Sequence, residues 1–399
     1  MKVAFLLPIV SPHELPLAKY MAMRLNPDSY RYVYEVISRG ERIALGWDNT
    51  SIPVWCKPID KSMDYLEKAD VLYSGILDFS RFENRVLTNK FSIYVSERWL
   101  KPIQLPWGGC LFGIFKLCSR NFFRKVSNFV KLLKYDNVMY LAHGIHAARD
   151  MVRLCGLMNG DWKCLFRAPE LDFEKKPGGR IWLREGVRND AAREYVDKIR
   201  IWGYFVEEGK GKRAEGREKS SAFSEKECEG EGVKVLWVGR LLKLKRVDTI
   251  IKAVGECSKS NKITLDIYGL GPEEAKLKKL AEKYGDVIKF YPPVSISEVR
   301  KLMREHDVYV LASNGYEGWG AVVSEALEEG VRVIGTYEAG SSATILPESN
   351  LFHAGDWLEL KERLVHLPVC MGIDNWNAKY AANVLKALVI ENYREKGDF

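Results

Sequence analysis

Glutamine is almost missing from this chain: of 399 residues, only Gln104 is one. Together with abundant lysine and glutamate, that is a habit of proteins that work hot. No apolar run approaches the roughly 20 residues that a helix needs to cross a bilayer, and Gly108 to Phe115 is among the longest. The eight cysteines contain no C-x-x-C spacing, which argues against a zinc ribbon and a disulfide framework and makes a reducing cytosol the simplest setting. The first residues, Met1 to Pro8, read as a strand without a signal-peptide cleavage pattern, so a cytoplasmic protein is expected. His143 and His146 form H-x-x-H, but with no third ligand nearby they read as structural rather than metal-binding. The second half carries no Asp-x-Asp element, and no acidic residue stands between Arg98 and Tyr135.

What is present begins with a hydrophobic content of 47%, ample for packed cores in the two domains that this length implies. The net charge of +8 is unevenly placed. The acid-free window holds eight cations, Arg98, Lys101, Lys116, Arg120, Arg124, Lys125, Lys131 and Lys134, interleaved with Phe112, Phe115, Phe122, Phe123 and Phe129. Two readings fit. One is an anionic membrane surface, with the protein peripheral on the inner face. The other is a helix with its aromatics turned to the core and its cations to water. No nucleic-acid recognition motif accompanies the charge, and nucleic acid is not expected as a partner.

Residues 207–232 are charged and glycine-rich, which marks a linker or long surface loop. Beyond it, short apolar runs at Val233 to Val238, Ile263 to Tyr268, Val287 to Phe290, Val308 to Leu311 and Val331 to Ile334 alternate with helical segments. That is a βα repeat and therefore a parallel sheet with helices on both faces. The first half repeats the theme at Val3 to Leu7, Tyr32 to Ile37, Val71 to Ser74, Phe91 to Val95, Val138 to Leu141 and Ile199 to Tyr204. The expected organisation is α/β: a Rossmann-like domain over 1–206, a second doubly wound domain over 233–373, a deep cleft between them, and a C-terminal helix in 374–399 that packs back on the first domain.

The chemistry concentrates at strand ends of the second half. Glu317 and Glu325 stand eight positions apart across a strand-to-helix junction, with Gly318, Trp319 and Gly320 between them. Glycines there let backbone approach a ligand closely, and a helix start offers free N–H groups to a phosphate. Gly239-Arg240-Leu241 and then Lys245 place two cations beside another strand end, where they can neutralise a diphosphate leaving group without a metal. Gly269 and Gly271 do not complete a dinucleotide fingerprint, because Pro272 follows at once. Cations, a glycine-rich turn and a carboxylate pair together describe a pocket for a nucleotide-diphosphate sugar.

In this order the motifs of Val233 to Leu364 resemble the donor domain of family-4 retaining glycosyltransferases of the GT-B fold. They are Gly239-Arg240-Leu241-x-x-x-Lys245, Tyr268-Gly269-x-Gly271-Pro272, and the E-x7-E element Glu317 to Glu325 running on to Gly330. The first half resembles the family in layout alone. The resemblance implies that Arg240 and Lys245 hold the diphosphate, that Glu325 accepts from the ribose hydroxyls, and that Glu317 meets the donor sugar at the reacting centre. It implies a UDP- or GDP-linked sugar as donor, no cofactor, no metal, retention of anomeric configuration, and a glycan or lipid-linked acceptor. The alternatives are a GT-B sugar-nucleotide epimerase, a soluble-glycoside synthase, or a non-catalytic partner subunit. Two departures stand out. The loop Ile9 to Glu14 lacks the usual Gly-Gly, leaving His13 as an acceptor-side candidate, and Ser341 and Thr344 occupy places where the family often has Gly and Glu. Glu97, after the strand Phe91 to Val95, is a second acceptor-side candidate or a partner for Arg98.

Overall fold

Val308-Tyr309-Val310-Leu311 buries every one of its side chains, the signature of a strand covered by helices on both faces. Runs of this kind build both sheets of the protein. A computed structural model describes residues 1–36, 52–104, 110–112, 118–165, 170–184, 190–207, 232–368 and 376–394. The glycine-rich segment 208–231 lies outside the described residues. The chain divides into two units: one takes Met1–Ile43, Asp48–Phe205 and Asn375–Phe399, and the other takes Val206–Asp374 with the short piece Ala44–Trp47, which lies outside the described residues.

The first unit contains β1 (Val3–Ile9), β2 (Tyr30–Val36), β3 (Cys56–Pro58), β4 (Val71–Ser74), β5 (Phe91–Ser96), β6 (Val138–His143) and β7 (Ile199–Trp202). They form one parallel sheet in the order β7-β6-β5-β4-β1-β2-β3. The second unit contains β8 (Val233–Val238), β9 (Ile263–Tyr268), β10 (Ile288–Tyr291), β11 (Val308–Leu311), β12 (Arg332–Thr336) and β13 (Leu351–Phe352). These form a second parallel sheet in the order β10-β9-β8-β11-β12-β13. Each sheet starts in its middle and runs outward first one way and then the other. The reversal falls between β1 and β4 in the first unit and between β8 and β11 in the second. In open α/β sheets the ligand crevice lies at that reversal, outside the carboxyl ends of the strands.

Helices cover the sheets. In the first unit they include α1 (Leu15–Arg24), α2 (Arg120–Leu132) and α3 (Ile145–Met158). In the second they include α4 (Val247–Cys257), α5 (Ile296–Glu305), α6 (Val322–Glu328) and α7 (Gly340–Ile345). Ser295 starts α5 with a reciprocal capping box to Glu298. The core of the second unit joins Trp237, Ile250, Leu265, Ile267, Val310, Ile334 and Phe352. The last helix, α8 (Ala378–Arg394), belongs to the first unit. There Asn392 Nδ2 donates to the Asp136 carbonyl at 2.8 Å and the Tyr393 hydroxyl to the Asp70 carbonyl at 3.1 Å.

The basic aromatic window is not one continuous surface. Arg98 is a buried ion-pair partner of Asp150, with side chains only 7% and 5% exposed, so it is no part of a solvated basic face. On α2, Val126, Phe129, Val130 and Leu132 face inward, and Phe129 stacks on Trp99 at 5.8 Å. Arg120, Arg124 and Lys131 are exposed, as is Phe123 at 44%. Residues 113–117, with Phe115 and Lys116, lie outside the described residues, as does the side chain of Phe112. Among the described residues no helix is long and apolar enough to cross a membrane.

Candidate functional site

At the reversal point of the second sheet, two loops meet. After β8 the chain runs through Gly239 and Arg240 into a short 3-10 turn, Lys243–Lys245. After β11 it turns at Asn314, whose side-chain oxygen accepts the Tyr316 N–H at 3.1 Å and whose backbone carbonyl accepts the Glu317 N–H at 2.9 Å. The Asn314 N–H in turn donates to the Leu244 carbonyl at 2.9 Å, fastening the two loops together. The Tyr309 hydroxyl, from β11, donates to the Val238 carbonyl at 3.2 Å and locks the two strand ends below them.

These contacts bring two of the sequence candidates face to face. The Lys245 ammonium pairs with the Glu317 carboxylate, and the side chains are 22% and 15% exposed. Arg240 stands nearby in sequence, exposed and without an ion pair among the described residues. Glu325 lies in the first turn of α6 and is half-buried. Burial raises its pKa, Arg300 opposes the rise and Glu329 adds to it. Glu329 is itself held by Arg300 and Arg304.

Glycines hold the walls. A side chain at Gly269, where φ is +149°, would put a Cβ 1.8 Å from the Gly239 carbonyl oxygen, and one at Gly271 would lie 2.4 Å from that of Leu241. The β9 loop therefore presses on the loop that carries Arg240, and the Leu241 N–H donates to the Leu270 carbonyl at 2.9 Å. Gly320 adopts φ +84°, a left-handed turn that glycine alone enters without strain. The Trp319 side chain is fully buried. Ser341 accounts for one departure seen in the sequence: its N–H donates to the Trp319 carbonyl at 2.8 Å and its hydroxyl to the Gly320 carbonyl at 2.8 Å. It clamps the glycine-rich turn from α7. The Thr344 hydroxyl donates within the same helix, to the Gly340 carbonyl at 2.6 Å.

The second unit matches a family model. Residues 219–367 fit glycosyl transferases, group 1. Over that span the chain is similar to the group 1 glycosyltransferases. The chain is 28% identical, over 171 residues, to the uncharacterized glycosyltransferase MJ1069 of Methanocaldococcus jannaschii, a match covering 41% of this chain and 42% of that protein. It thus spans less than half the length of this curated relative. Among solved structures, the chain resembles the apo form of the lipopolysaccharide outer core galactosyltransferase WaaB, with a TM-score of 0.58 and 12% identity over 98% of this chain and 99% of that one. It also resembles Anabaena Alr3699/HepE in complex with UDP, with a TM-score of 0.54 and 14% identity over 100% and 99%. These likenesses show the fold, which is GT-B.

The first unit gathers a second polar group at the carboxyl ends of its strands. Glu97 follows β5, and its Oε1 accepts from the Tyr204 hydroxyl at 3.4 Å. Arg98 turns away to Asp150, so the alternative of a Glu97–Arg98 pair is not what forms. His143, the last residue of β6, lies edge-on to the Tyr204 ring at 4.7 Å, and His13 lies 5.5 Å from the same ring. His143 is buried, neither ring nitrogen has a hydrogen-bond partner among the described residues, and burial pushes its pKa down to about 3. Glu14 stands at the N-cap position of α1 without a side-chain capping bond, and burial raises its pKa to about 8 against the pull of a Tyr73 hydrogen bond. The Tyr73 hydroxyl also accepts from Trp202 Nε1 at 3.0 Å. Sequence reading passed over Glu14, Tyr73, Trp202 and Tyr204. The only signal was their place at the ends of predicted strands.

Proposed function

We propose that this protein is a retaining glycosyltransferase that moves a sugar from a nucleotide-diphosphate sugar, UDP- or GDP-linked, to a hydroxyl of a glycan or lipid-linked acceptor. The observation that carries this reading is the Lys245–Glu317 pair at the reversal point of the donor sheet, beside the exposed Arg240. A cation that can grip a leaving diphosphate and a carboxylate that can meet the sugar then share one locus. Arg240 and Lys245 take the diphosphate, Glu325 the ribose hydroxyls, and Glu317 the transferred sugar, with the glycine-rich turn of Gly318 to Gly320 lying close to sugar and phosphate. The anomeric C–O bond to the β-phosphate breaks while the acceptor oxygen bonds to the same face of the sugar. The acceptor proton passes to the departing phosphate oxygen. Fixed cations stabilise the charge that develops there, so no metal is required.

On the acceptor side, His13 and Glu97 are the groups assigned to the incoming molecule. An aromatic ring beside a carboxylate suits the apolar face and hydroxyls of a sugar, and Tyr204 with Glu97 supplies that combination. The acceptor is presented at an anionic membrane surface, a reading supported by the exposed cations and Phe123 of α2.

A thermal-shift screen of UDP, GDP, ADP and their sugars tests the donor class, since a ligand at 100 times its dissociation constant stabilises by about 2.7 kcal/mol. Arg240→Ala and Lys245→Ala should each weaken the best nucleoside diphosphate about ten- to a hundredfold, in line with a lost charge-assisted hydrogen bond. Product analysis should give an acceptor glycoside with the donor's anomeric configuration, formed equally well in EDTA. An epimerised nucleotide sugar made without any acceptor would replace this reading by the epimerase alternative.

A further inference from the structure

His143 and His146 share a motif but not a destination. His143 turns onto Tyr204. His146 lies in the first turn of α3, three residues before Arg149 and on the same helical face. Arg149 Nη1 stands 3.4 Å from His146 Nδ1. Arginine can only donate, so Nδ1 accepts and the imidazole proton resides on Nε2.

Arg149 is half-buried. Burial disfavours its charge, and Arg98 and Arg184 add repulsion, while Asp150 and Glu170 attract it from a distance. Those carboxylates are committed elsewhere. Asp150 accepts from Arg98 Nε at 3.2 Å and from the Leu100 N–H at 3.0 Å. Glu170 pairs with Arg184 at 3.5 Å, and Asp172 pairs with the same guanidinium at 3.0 Å. Among the described residues Arg149 has no ion pair of its own. A guanidinium drawn out of water beside two others, with no ion pair among the described residues, destabilises a fold. A bound anion removes that penalty, and a guanidinium fork with an adjacent N–H is well matched to phosphate oxygens. The place is also right for a ligand: α3 follows β6 at the carboxyl edge of the first sheet.

We propose that Arg149 and His146 form an oxyanion site for a phosphate group carried by the acceptor. The inference rests on the transferase reading for its biological meaning but not for its test. The phosphate could belong to a soluble phosphorylated acceptor or to a lipid headgroup, and both present the same chemistry to Arg149.

Inorganic phosphate titrated calorimetrically into the full chain should bind saturably. Arg149→Gln should weaken binding about ten- to a hundredfold, and Arg149→Lys should retain more of it than Gln does. His146→Ala should weaken it severalfold. If Arg149→Gln fails to fold, the Lys and His146 variants decide. Lys245→Gln serves as a control for phosphate entering the donor locus: it should remove at most the part of the titration that Arg149→Gln leaves, and should not touch the Arg149-dependent part. Vesicles of phosphatidylcholine with phosphatidic acid distinguish the source. Arg149-dependent vesicle binding assigns a lipid headgroup, whereas Arg149-dependent binding of free phosphate alone assigns a soluble acceptor. No phosphate binding in the parent, binding equal in Arg149→Gln, or binding abolished by Lys245→Gln would each overturn the site. Because the readout is phosphate binding, its failure leaves the donor assignments standing. A failure of nucleoside diphosphates to bind leaves this site standing.

Discussion

A carboxylate and an ammonium that satisfy each other in the empty protein compete with any ligand that needs either one. Lys245 and Glu317 are in that position. In the proposed reading a diphosphate must draw Lys245 from Glu317 and tolerate the carboxylate's charge, so part of the affinity is spent on separating the pair. Glu317→Gln keeps the shape and removes the competing charge. It is expected to tighten nucleoside diphosphate binding about three- to tenfold, roughly 1 kcal/mol, while lowering turnover with the nucleotide sugar. Calorimetry beside steady-state kinetics checks both halves, and weaker diphosphate binding in Glu317→Gln would mean that the pair supports the site rather than occludes it. Both residues were legible in the sequence because glycines and a strand end surrounded them. Their pairing was not, since it depends on the Asn314 turn and its bond to Leu244. Arg149 and Tyr204 were illegible for a similar reason: each matters through neighbours far away in sequence.

The central strands were the easiest elements to read. Val233–Val238, Ile263–Tyr268, Val71–Ser74 and Val308–Leu311 form where their apolar runs place them, and Val71–Ser74 and Val308–Leu311, buried on both faces, carry the clearest signature. Edge strands do not. Cys56–Pro58 and Leu351–Phe352 are too short to show a pattern, and the antiparallel pair Leu171–Phe173 with Ile181–Leu183 escaped for the same reason. The basic window shows how composition misleads when faces are ignored: α2 divides its residues between core and solvent, and Arg98 belongs to neither a membrane nor an open face. What α2 still presents is Arg120, Arg124 and Lys131 around an exposed Phe123. Cations near an anionic surface contribute about 1 kcal/mol each, and the attraction decays within about 10 Å at 0.1 M salt. The protein should float with anionic vesicles at low salt and release at high salt, and Arg120, Arg124 and Lys131 changed together to Ser should not float. A parent that ignores anionic vesicles leaves a soluble acceptor as the better assignment.

Across the whole molecule, stability should respond to pH through two buried groups in the first unit. Glu14 is raised from 4.5 to about 8 by burial, so its contribution is fully present below pH 4.5 and is lost as pH climbs toward 8. His143 is lowered from 6.5 to about 3, so its contribution is present above pH 6.5 and is lost as pH falls toward 3. Glu14→Gln cannot ionise. Its advantage over the parent should grow by roughly 1.4 kcal/mol per pH unit as pH rises from 4.5 toward 8, read as a widening gap in melting temperature. A constant gap over that interval would show that Glu14 titrates normally. The chain path carries a different consequence, for synthesis. Among the described residues the second unit is continuous, but the first receives α8 only after all of Val206–Asp374 has been made. At about 5–20 residues per second, a ribosome needs on the order of 10–30 s to cross that stretch. For that time α1 and its neighbours wait without their last packing partner, while the second unit can already close on itself. The nascent first unit is therefore the part that a chaperone has most reason to hold.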